Sequence, residues 1–299
     1  MARKAHADHS PALSLDAIAR AADRSGLDFS SEHGQKQRVM MEAMAAGPRL
    51  VVSIGAAGSG KTSILRPVVE AWKAAGEDRT VFGAALAHRQ ASPLVGAGID
   101  ERNKTAIDPF LRRAESGKYA LDAKSLVVID EVGQLGTRQL LRLLELQDRH
   151  GFKIVAVGDP AQCAAIEAGA VIDLVRKAIG KEAVPEILTT VRQKHEHERR
   201  IATLFRDGRA EEALAIKRDD GTAILVAGGQ QRTVNKVAAI WAERMAAHKD
   251  DASFRLTVTT RSNENVLAIG EAIRVKQREM GLIGKDEAIW QANDKAGNR

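Results

Sequence analysis

The chain has 299 residues, of which 44% are hydrophobic and 28% charged, and its formal net charge is +6 at pH 7. No stretch approaches the roughly 18 apolar residues of a membrane-spanning helix, and the basic N-terminal residues lead into no apolar signal segment. The single cysteine, Cys163, excludes an internal disulfide and favours a reducing, cytoplasmic location. The positive charge is compatible with a nucleic-acid partner, although many soluble proteins are equally basic.

Short runs rich in Val and Ile alternate with amphipathic helical segments from about residue 49 onward. This alternation is typical of parallel βαβ units, in which the strands are buried on both faces. Strands are predicted at residues 49–55, 80–86, 125–131 and 153–159. Helices are predicted at residues 61–75 and 137–150. The pattern therefore predicts an α/β fold.

The character of the sequence changes after residue 193. A charged helical stretch covers residues 194–218, and KRDDGT at residues 217–222 marks a candidate domain boundary. A second alternating block follows, with strands predicted at 222–228 and 254–260 and helices at 233–248 and 263–280. This second block holds few strands compared with the first.

The stretch SIGAAGSGKTSILRP at residues 53–67 has the G-x-x-x-x-G-K-S/T spacing of a P-loop. A predicted strand precedes it and a predicted helix follows, which is the context that a P-loop requires. Glycines allow backbone N–H groups to point at a phosphate, and the helix N-terminus adds a favourable dipole. The sequence predicts an ATP and Mg²⁺ site, with Lys61 on the β- and γ-phosphates and the Thr62 hydroxyl on the metal. The predicted binding residues are Gly55, Ala56, Ala57, Gly58, Ser59, Gly60, Lys61, Thr62 and Ser63.

Two further polar turns follow predicted strands. In VVIDEVGQ, Asp130 and Glu131 reach the carboxyl edge of the sheet, where ligands bind in open α/β folds. Asp130 is predicted to hold Mg²⁺, and Glu131 to polarise the attacking water. In VAVGDPAQC, Asp159 is predicted to contribute to the nucleotide site and Gln162 to sense the γ-phosphate. A simple Gly-Asp-Pro turn is the alternative for this last motif.

These motifs, with PEILTTVRQ at residues 185–193, resemble superfamily 1 helicases of the RecD-like branch. The resemblance is closest to the helicase portion of conjugative relaxases, and it runs from SSEHGQKQR at residues 30–38 nearly to the C-terminus. It implies a P-loop NTPase with a RecA-like parallel sheet flanked by helices, followed by a partial second RecA-like core. The implied division is an N-terminal extension (1–28), a first RecA-like ATPase core (29–218) and the partial second core (219–299).

The resemblance also assigns roles to individual residues. Gln37, or alternatively Gln35, takes the place of a glutamine that reads adenine. Arg192 matches an arginine that reaches the γ-phosphate, and such arginine fingers raise rates by roughly 10³–10⁵. For the DNA contacts, ordinary solvated loops are the alternative to backbone binding. The residues predicted to contact single-stranded DNA are His88, Arg89, Thr105, Thr260 and Arg261.

The sequence departs from the family in several respects. The later motifs of a second RecA-like core are not found, which predicts a truncated second core. A relaxase nicking site is not recognised either, because the only tyrosine, Tyr119, lies in the plain loop ESGKYALD. His195 and His197 form an H-x-H pair, but residues two apart on a helix point in different directions, so no metal site is predicted there.

The leading hypothesis is the ATP-hydrolysing motor core of a helicase or translocase that acts on single-stranded DNA. Its polarity of 5′→3′ follows from the family alone, and its partners are the remainder of a relaxase-helicase or the conjugation machinery. The alternative is a truncated nucleotide-binding module that binds ATP but does not unwind DNA. A P-loop kinase is a third hypothesis, which GDPAQ and TTVRQ disfavour.

Overall fold

The computed structural model of the protein describes residues 1–162, 170–189 and 195–284. The chain divides into two compact units, Met1–Ala213 and Leu214–Arg299. The division into an extension and two cores at residues 28 and 218 stays a prediction.

The first unit combines a β-sheet with helices on both of its faces. Its strands are β1 (Leu50–Gly55), β2 (Thr80–Ala85), β3 (Lys104–Ala106), β4 (Ser125–Ile129), β5 (Lys153–Gly158) and β6 (Glu186–Ile187). Its helices are α1 (Ala2–Ala7), α2 (Leu15–Arg24), α3 (Glu32–Ala46), α4 (Lys61–Ala74), α5 (His88–Ala91), α6 (Ile107–Glu115), α7 (Thr137–His150), α8 (Val171–Ile179) and α9 (Glu196–Arg206). Helix α10 (Ala210–Asp219) spans the division between the units.

The six strands form one parallel sheet in the order β3-β2-β4-β5-β1-β6. Every residue of β1, β4 and β5 is buried, which explains their continuous apolar character. The predicted α/β class is confirmed, as are the four predicted strands to within two residues and the helices now labelled α4 and α7. Strands β3 and β6 were not predicted, because three and two residues are too short to show a pattern.

Side chains of alternate strand residues enter two separate hydrophobic cores, one on each face of the sheet. Val52 of β1 belongs to the core that includes Phe110 and Phe152, and the neighbouring Val51 belongs to the core that includes Trp72. Residues 1–28 contribute to both, since helix α1 reaches the first core and Ile18 of α2 lies in the second. The N-terminal helices are therefore integral to the packing of this unit.

Beyond the end of α10, the described part of the second unit contains two helices, α11 (Gln230–Ala247) and α12 (Asn263–Glu279), which pack against each other. Both helix predictions are confirmed. The strand predictions at residues 222–228 and 254–260 are wrong, because these segments form no strand in the structure. A strand is held by hydrogen bonds to a neighbouring strand, and the described residues of this unit supply no such neighbour. Ile224 and Leu225 are accordingly exposed.

In the part of the chain that the structure describes, no helix has the length and apolar character needed to cross a membrane.

A buried lysine ties strand β5 to the end of helix α3. Lys153 is only 1% exposed, and its ammonium donates to the carbonyls of Gly47 at 2.6 Å, Pro48 at 2.9 Å and Ala45 at 3.5 Å. These carbonyls belong to the last turn of α3 and the two residues just beyond it, where carbonyls lack helical partners. Burial lowers the pKa of Lys153 to about 7, with smaller contributions from Arg49 and Arg79.

The depressed pKa predicts that Lys153 makes the stability of the protein depend on pH. An unfolded lysine keeps its proton up to its ordinary pKa of 10.5, so above the folded pKa the unfolded chain binds one more proton. The free energy of unfolding should therefore rise with pH by about 1.4 kcal/mol per unit from about pH 7.5 to about pH 9.5, relative to Lys153→Met. Urea unfolding of both proteins across this range measures the difference. Below about pH 6 the difference should be constant, because both states then carry the proton, and parallel profiles at alkaline pH would contradict the prediction.

Candidate functional site

The predicted P-loop forms the turn between β1 and α4. Gly58 and Gly60 have φ values of 78° and 83°, in the left-handed region that side chains disfavour. Helix α4 begins at Lys61, and its N-cap, Gly60, supplies no side chain to cap the first turn. The first N–H groups of α4 are therefore available to an anion, and the helix dipole favours one there.

The start of the turn is too narrow for a side chain. A Cβ atom on Gly55 would lie 2.5 Å from Cγ of Lys61 and 2.7 Å from Oγ of Ser59. This absence of a side chain lets the buried Lys61 lie along the turn, where its Nζ donates to the Gly55 carbonyl at 2.9 Å. The Ser59 hydroxyl is buried and has no hydrogen-bond partner among the described residues. The turn thus has the cradle shape that a bound phosphate requires.

Asp130 and Glu131 follow β4 directly, beside the P-loop. The Glu131 N–H donates to Oδ1 of the buried Asp130 at 2.9 Å, and the Glu131 carboxylate lies 3.9 Å from the Lys61 ammonium. Glu131 has a φ of 52°, and among the described residues no other non-glycine residue has a positive φ. Such conformations cost energy and occur frequently at functional sites.

The electrostatics of this corner favour a bound cation. Burial raises the pKa of Asp130, opposed by the Glu131 N–H and by the charge of Lys61. Burial also raises the pKa of Glu131, and the charges of Asp130 and Asp159 raise it further, while Lys61 lowers it. Additional positive charge at this position would offset the repulsion among the carboxylates.

The residues present fit a triphosphate with a hard divalent metal. Asp130 and Thr62 line one groove, and they offer the carboxylate and hydroxyl oxygens that Mg²⁺ prefers. The groove has a volume of about 550 Å³, which lies in the usual range for ligand sites. It is lined by Ala56, Ala57, Gly58, Gly60, Lys61, Thr62, Ser63, Asp130, Glu131 and Gln162.

Of the two candidate glutamines, the structure brings Gln37 to the P-loop. The buried Gln37 side chain donates to the Ser59 carbonyl at 2.9 Å. Gln35 is exposed, and its amide lies 3.4 Å from the Ser30 carbonyl. Gln37 therefore supports the phosphate-binding turn, and its reading of adenine stays a prediction.

Asp159 has protein partners on both carboxylate oxygens. Its Oδ2 accepts from Arg206 of α9 at 2.6 Å, and its Oδ1 accepts from the Ala161 N–H at 3.0 Å. The Asp159 side chain is only 2% exposed, and the Gln162 N–H donates to the Asp159 carbonyl at 3.2 Å. The structure thus uses Asp159 to shape the turn that carries Gln162, and direct nucleotide contact by Asp159 stays a prediction.

Arg206 is a residue that the sequence did not reveal. It lies 47 residues beyond Asp159 in a charged stretch that reads as a solvated helix face. With other residues of α9 it forms one wall of a cavity of about 250 Å³ beside the P-loop, which Ala56, Ala57 and Gln162 also line. No local pattern marks such a pair, since only the fold brings the two charges together. The predicted γ-phosphate arginine, Arg192, lies outside the described residues.

The predicted DNA contacts differ in accessibility. His88 and Arg89 are exposed on α5, just beyond the carboxyl end of β2. Thr105 is only 1% exposed within β3, because its side chain points into the interior of the unit. Thr105 is therefore not presented at the surface, and its contact with DNA stays a prediction. In the second unit, Thr260 is half-buried and Arg261 is exposed.

A parallel sheet with a P-loop, an acidic pair and a polar turn at its carboxyl edge is the arrangement of the P-loop NTPase class. Residues 32–228 match the family model described as an AAA domain. This match covers more than half of the chain, so the chain belongs to that family.

The sequence is similar to a conjugal transfer protein and to a subunit of the RecBCD enzyme. It is 30% identical over 261 residues to the conjugal transfer protein TraA of Rhizobium radiobacter, which covers 86% of the chain and 22% of TraA. It is 35% identical over 105 residues to the RecBCD enzyme subunit RecD of Mycolicibacterium smegmatis, which covers 35% of the chain and 17% of RecD. The chain spans about a fifth of the length of these relatives. The predicted resemblance to RecD-like superfamily 1 helicases and to relaxases is confirmed.

Among solved structures, the Pif1 helicase from Candida albicans aligns with a TM-score of 0.47 and 16% identity, over 73% of this chain and 55% of that one.

The close approach at Gly55 predicts that Gly55→Ala weakens nucleotide binding. The new methyl group displaces Lys61 from the turn, and we expect affinity for a fluorescent ATP analogue to fall by about tenfold or more, as measured by titration. Gly270→Ala is the matched control, because a Cβ there meets nothing within 4 Å. Equal affinities of the two variants would contradict the proposed steric role of Gly55.

Breaking the pair between Arg206 and Asp159 should destabilise the protein. Arg206→Gln leaves a buried carboxylate without its cation, which we expect to lower the free energy of unfolding by about 3 kcal/mol. Arg209→Gln is the control, since its partner Glu212 is exposed and the measured value should not change. Urea unfolding gives both values, and adding Asp159→Asn to Arg206→Gln should restore part of the loss. If Arg206→Gln lowered the free energy of unfolding no more than Arg209→Gln, the buried pair would contribute nothing to stability.

Proposed function

We propose that the chain is the ATP-binding and ATP-hydrolysing motor core of a helicase or translocase that acts on single-stranded DNA. The observation that carries the proposal is the single groove in which the P-loop, Lys61, Asp130, Glu131 and Gln162 meet. These residue types match the steps of phosphoryl transfer, which depends on positioning and on stabilisation of charge.

Substrate binding would use the P-loop. The uncapped N–H groups of α4 and the Lys61 ammonium would neutralise the phosphate oxygens of ATP. Thr62 and Asp130 would hold Mg²⁺, which, when bound, supplies positive charge for the β- and γ-phosphate oxygens. Gln37 would read adenine from its place beside the P-loop, where it already bonds to the Ser59 carbonyl.

Hydrolysis would depend on Glu131 as the group that polarises the attacking water. A raised carboxyl pKa makes Glu131 a stronger proton acceptor than an exposed glutamate, while the charge of the nearby Lys61 opposes this rise and favours the ionised form. Gln162 would contact the γ-phosphate from the turn that Asp159 and Arg206 brace. Arg192 would neutralise charge in the transition state, a role that rests on the family resemblance.

DNA binding would use polar and charged residues of both units. His88 and Arg89 are available on α5, and Thr260 and Arg261 are the candidate contacts of the second unit. The net charge of +6 supports a phosphate-backbone partner. Translocation with 5′→3′ polarity follows from the RecD-like resemblance.

The relatives support a biological setting. Because TraA is a conjugal transfer protein, we infer that this chain acts within a relaxase-helicase in DNA transfer. The partners would be single-stranded DNA and the remainder of such a protein or of the conjugation machinery. The proposal places the protein in the cytoplasm, where ATP and DNA occur together.

The proposal predicts that single-stranded DNA stimulates ATP hydrolysis and that this activity depends on Lys61. Lys61→Ala should lower kcat by about 10²–10³ in the presence of DNA, because the phosphates lose their main side-chain cation. Glu131→Gln should lower kcat while retaining ATP binding. Phosphate release by the purified protein, with and without an oligonucleotide, measures these effects.

Lys73→Ala is the control for Lys61→Ala. Lys73 lies on the same helix, and its exposed ammonium donates to the Gly98 carbonyl. Equal hydrolysis with and without DNA would remove the main support for a motor. ATP binding without turnover under either condition would instead favour the alternative, a nucleotide-binding module that does not unwind DNA.

A further inference from the structure

Two glutamine side chains join the exposed helix α5 to the turn that contains Glu131. The Ala87 N–H donates to Oε1 of Gln90 at 3.0 Å, and Nε2 of Gln90 donates to Oε1 of Gln134 at 2.8 Å. Only the amide oxygen can accept from a backbone N–H, so the first bond determines the orientation of the Gln90 amide. Both glutamines are half-buried, which limits competition from water.

Gln134 continues this connection to the acidic pair. It ends the 3-10 turn Val132–Gln134, and its N–H donates to the Glu131 carbonyl at 2.9 Å. Three hydrogen bonds therefore link the backbone immediately before His88 with the backbone of Glu131. Side chain and main chain alternate along this path, and each bond has ordinary length and geometry.

The end of this path is sensitive to small changes. Glu131 is held at a φ of 52°, which a non-glycine residue adopts only where its surroundings enforce it. The hydrogen bond from Gln134 is one of the contacts that determine this backbone. A shift of Gln134 would therefore act on the Glu131 backbone, whose side-chain carboxylate lies 3.9 Å from the Lys61 ammonium.

The start of the path is at the surface. His88 and Arg89 precede Gln90 in the same four-residue helix and are exposed. A strand phosphate bound by these two residues would act on the position of Gln90, because Gln90 is the next residue in the same short helix.

We propose that Gln90 and Gln134 are positioning residues that couple DNA contact at α5 to the orientation of Glu131. The inference rests on the proposed function, since it presupposes hydrolysis that DNA stimulates. It assigns the two glutamines no part in binding DNA or ATP. Their effect is confined to the factor by which DNA raises the rate.

The test compares Gln90→Ala, Gln134→Met and the double variant. Methionine keeps the length of the glutamine side chain but offers no amide. For each protein, kcat is measured at saturating ATP without DNA and with a saturating oligonucleotide, and DNA affinity is measured by anisotropy of a labelled strand. We expect basal kcat and DNA affinity to stay within about twofold of wild type, while stimulation by DNA falls by about fivefold or more.

The double variant provides a second criterion. If the two glutamines act through one bond, its stimulation should equal that of the single variants rather than the product of their losses. Gln139→Ala is the matched control, because Gln139 accepts from the Gly136 N–H at 3.0 Å and donates to Asp108 at 3.0 Å, the same arrangement off the path. It should retain full stimulation.

The outcomes separate the two proposals. Stimulation that survives in Gln90→Ala and Gln134→Met, or that is lost equally in Gln139→Ala, would overturn the coupling and leave the proposed function intact. A wild-type protein that hydrolyses ATP equally with and without DNA would count against the proposed function itself. Thermal unfolding of each variant identifies any loss that arises from an unstable fold.

Discussion

The parallel pairing of β4, β5 and β1 is the constraint on which the site depends. Ile54 pairs with Gly158 and Ile129 pairs with Ala156, so these neighbouring strands end at one edge of the sheet. Polar residues that follow buried strands therefore meet there, although Lys61, Asp130 and Asp159 are 29 to 98 residues apart in the chain. If any of these strands ran in the opposite direction, the polar turn that follows it would lie at the other edge of the sheet, and the groove would not form.

This convergence concentrates charge in a partly buried corner. The charges of Asp130 and Asp159 raise the pKa of Glu131, and burial disfavours ionisation of both Asp130 and Glu131. Lys61 and Arg206 supply the opposing positive charge. Lys61 is the first residue of α4, and Arg206 is the last residue of α9. This mixture of opposite charges suits a site for a highly charged ligand. The negative ligand would pair with the cations, and its metal would pair with the carboxylates.

The helices on the two faces of the sheet position these groups. Helix α3 is anchored at its C-terminus by Lys153 and places Gln37 against the P-loop. Helix α9 closes the cavity beside Gln162 through Arg206. Helix α5 is joined to the Glu131 turn through Gln90. Each of these contacts links segments that are distant in sequence, so supporting residues of the site come from all parts of the first unit.

By itself, the sequence determined the strands with buried apolar runs, the helices with clear periodicity, the P-loop and the acidic pair, because these features depend on local spacing. The tertiary structure alone decided which glutamine reaches the P-loop, that Thr105 is buried, and that Arg206 pairs with Asp159. It also decided that residues 222–228 and 254–260 form no strand, although their composition favours one. The physical reason is common to these cases: local propensity describes a segment, whereas burial, ion pairing and strand formation require a partner that only the folded chain brings within reach.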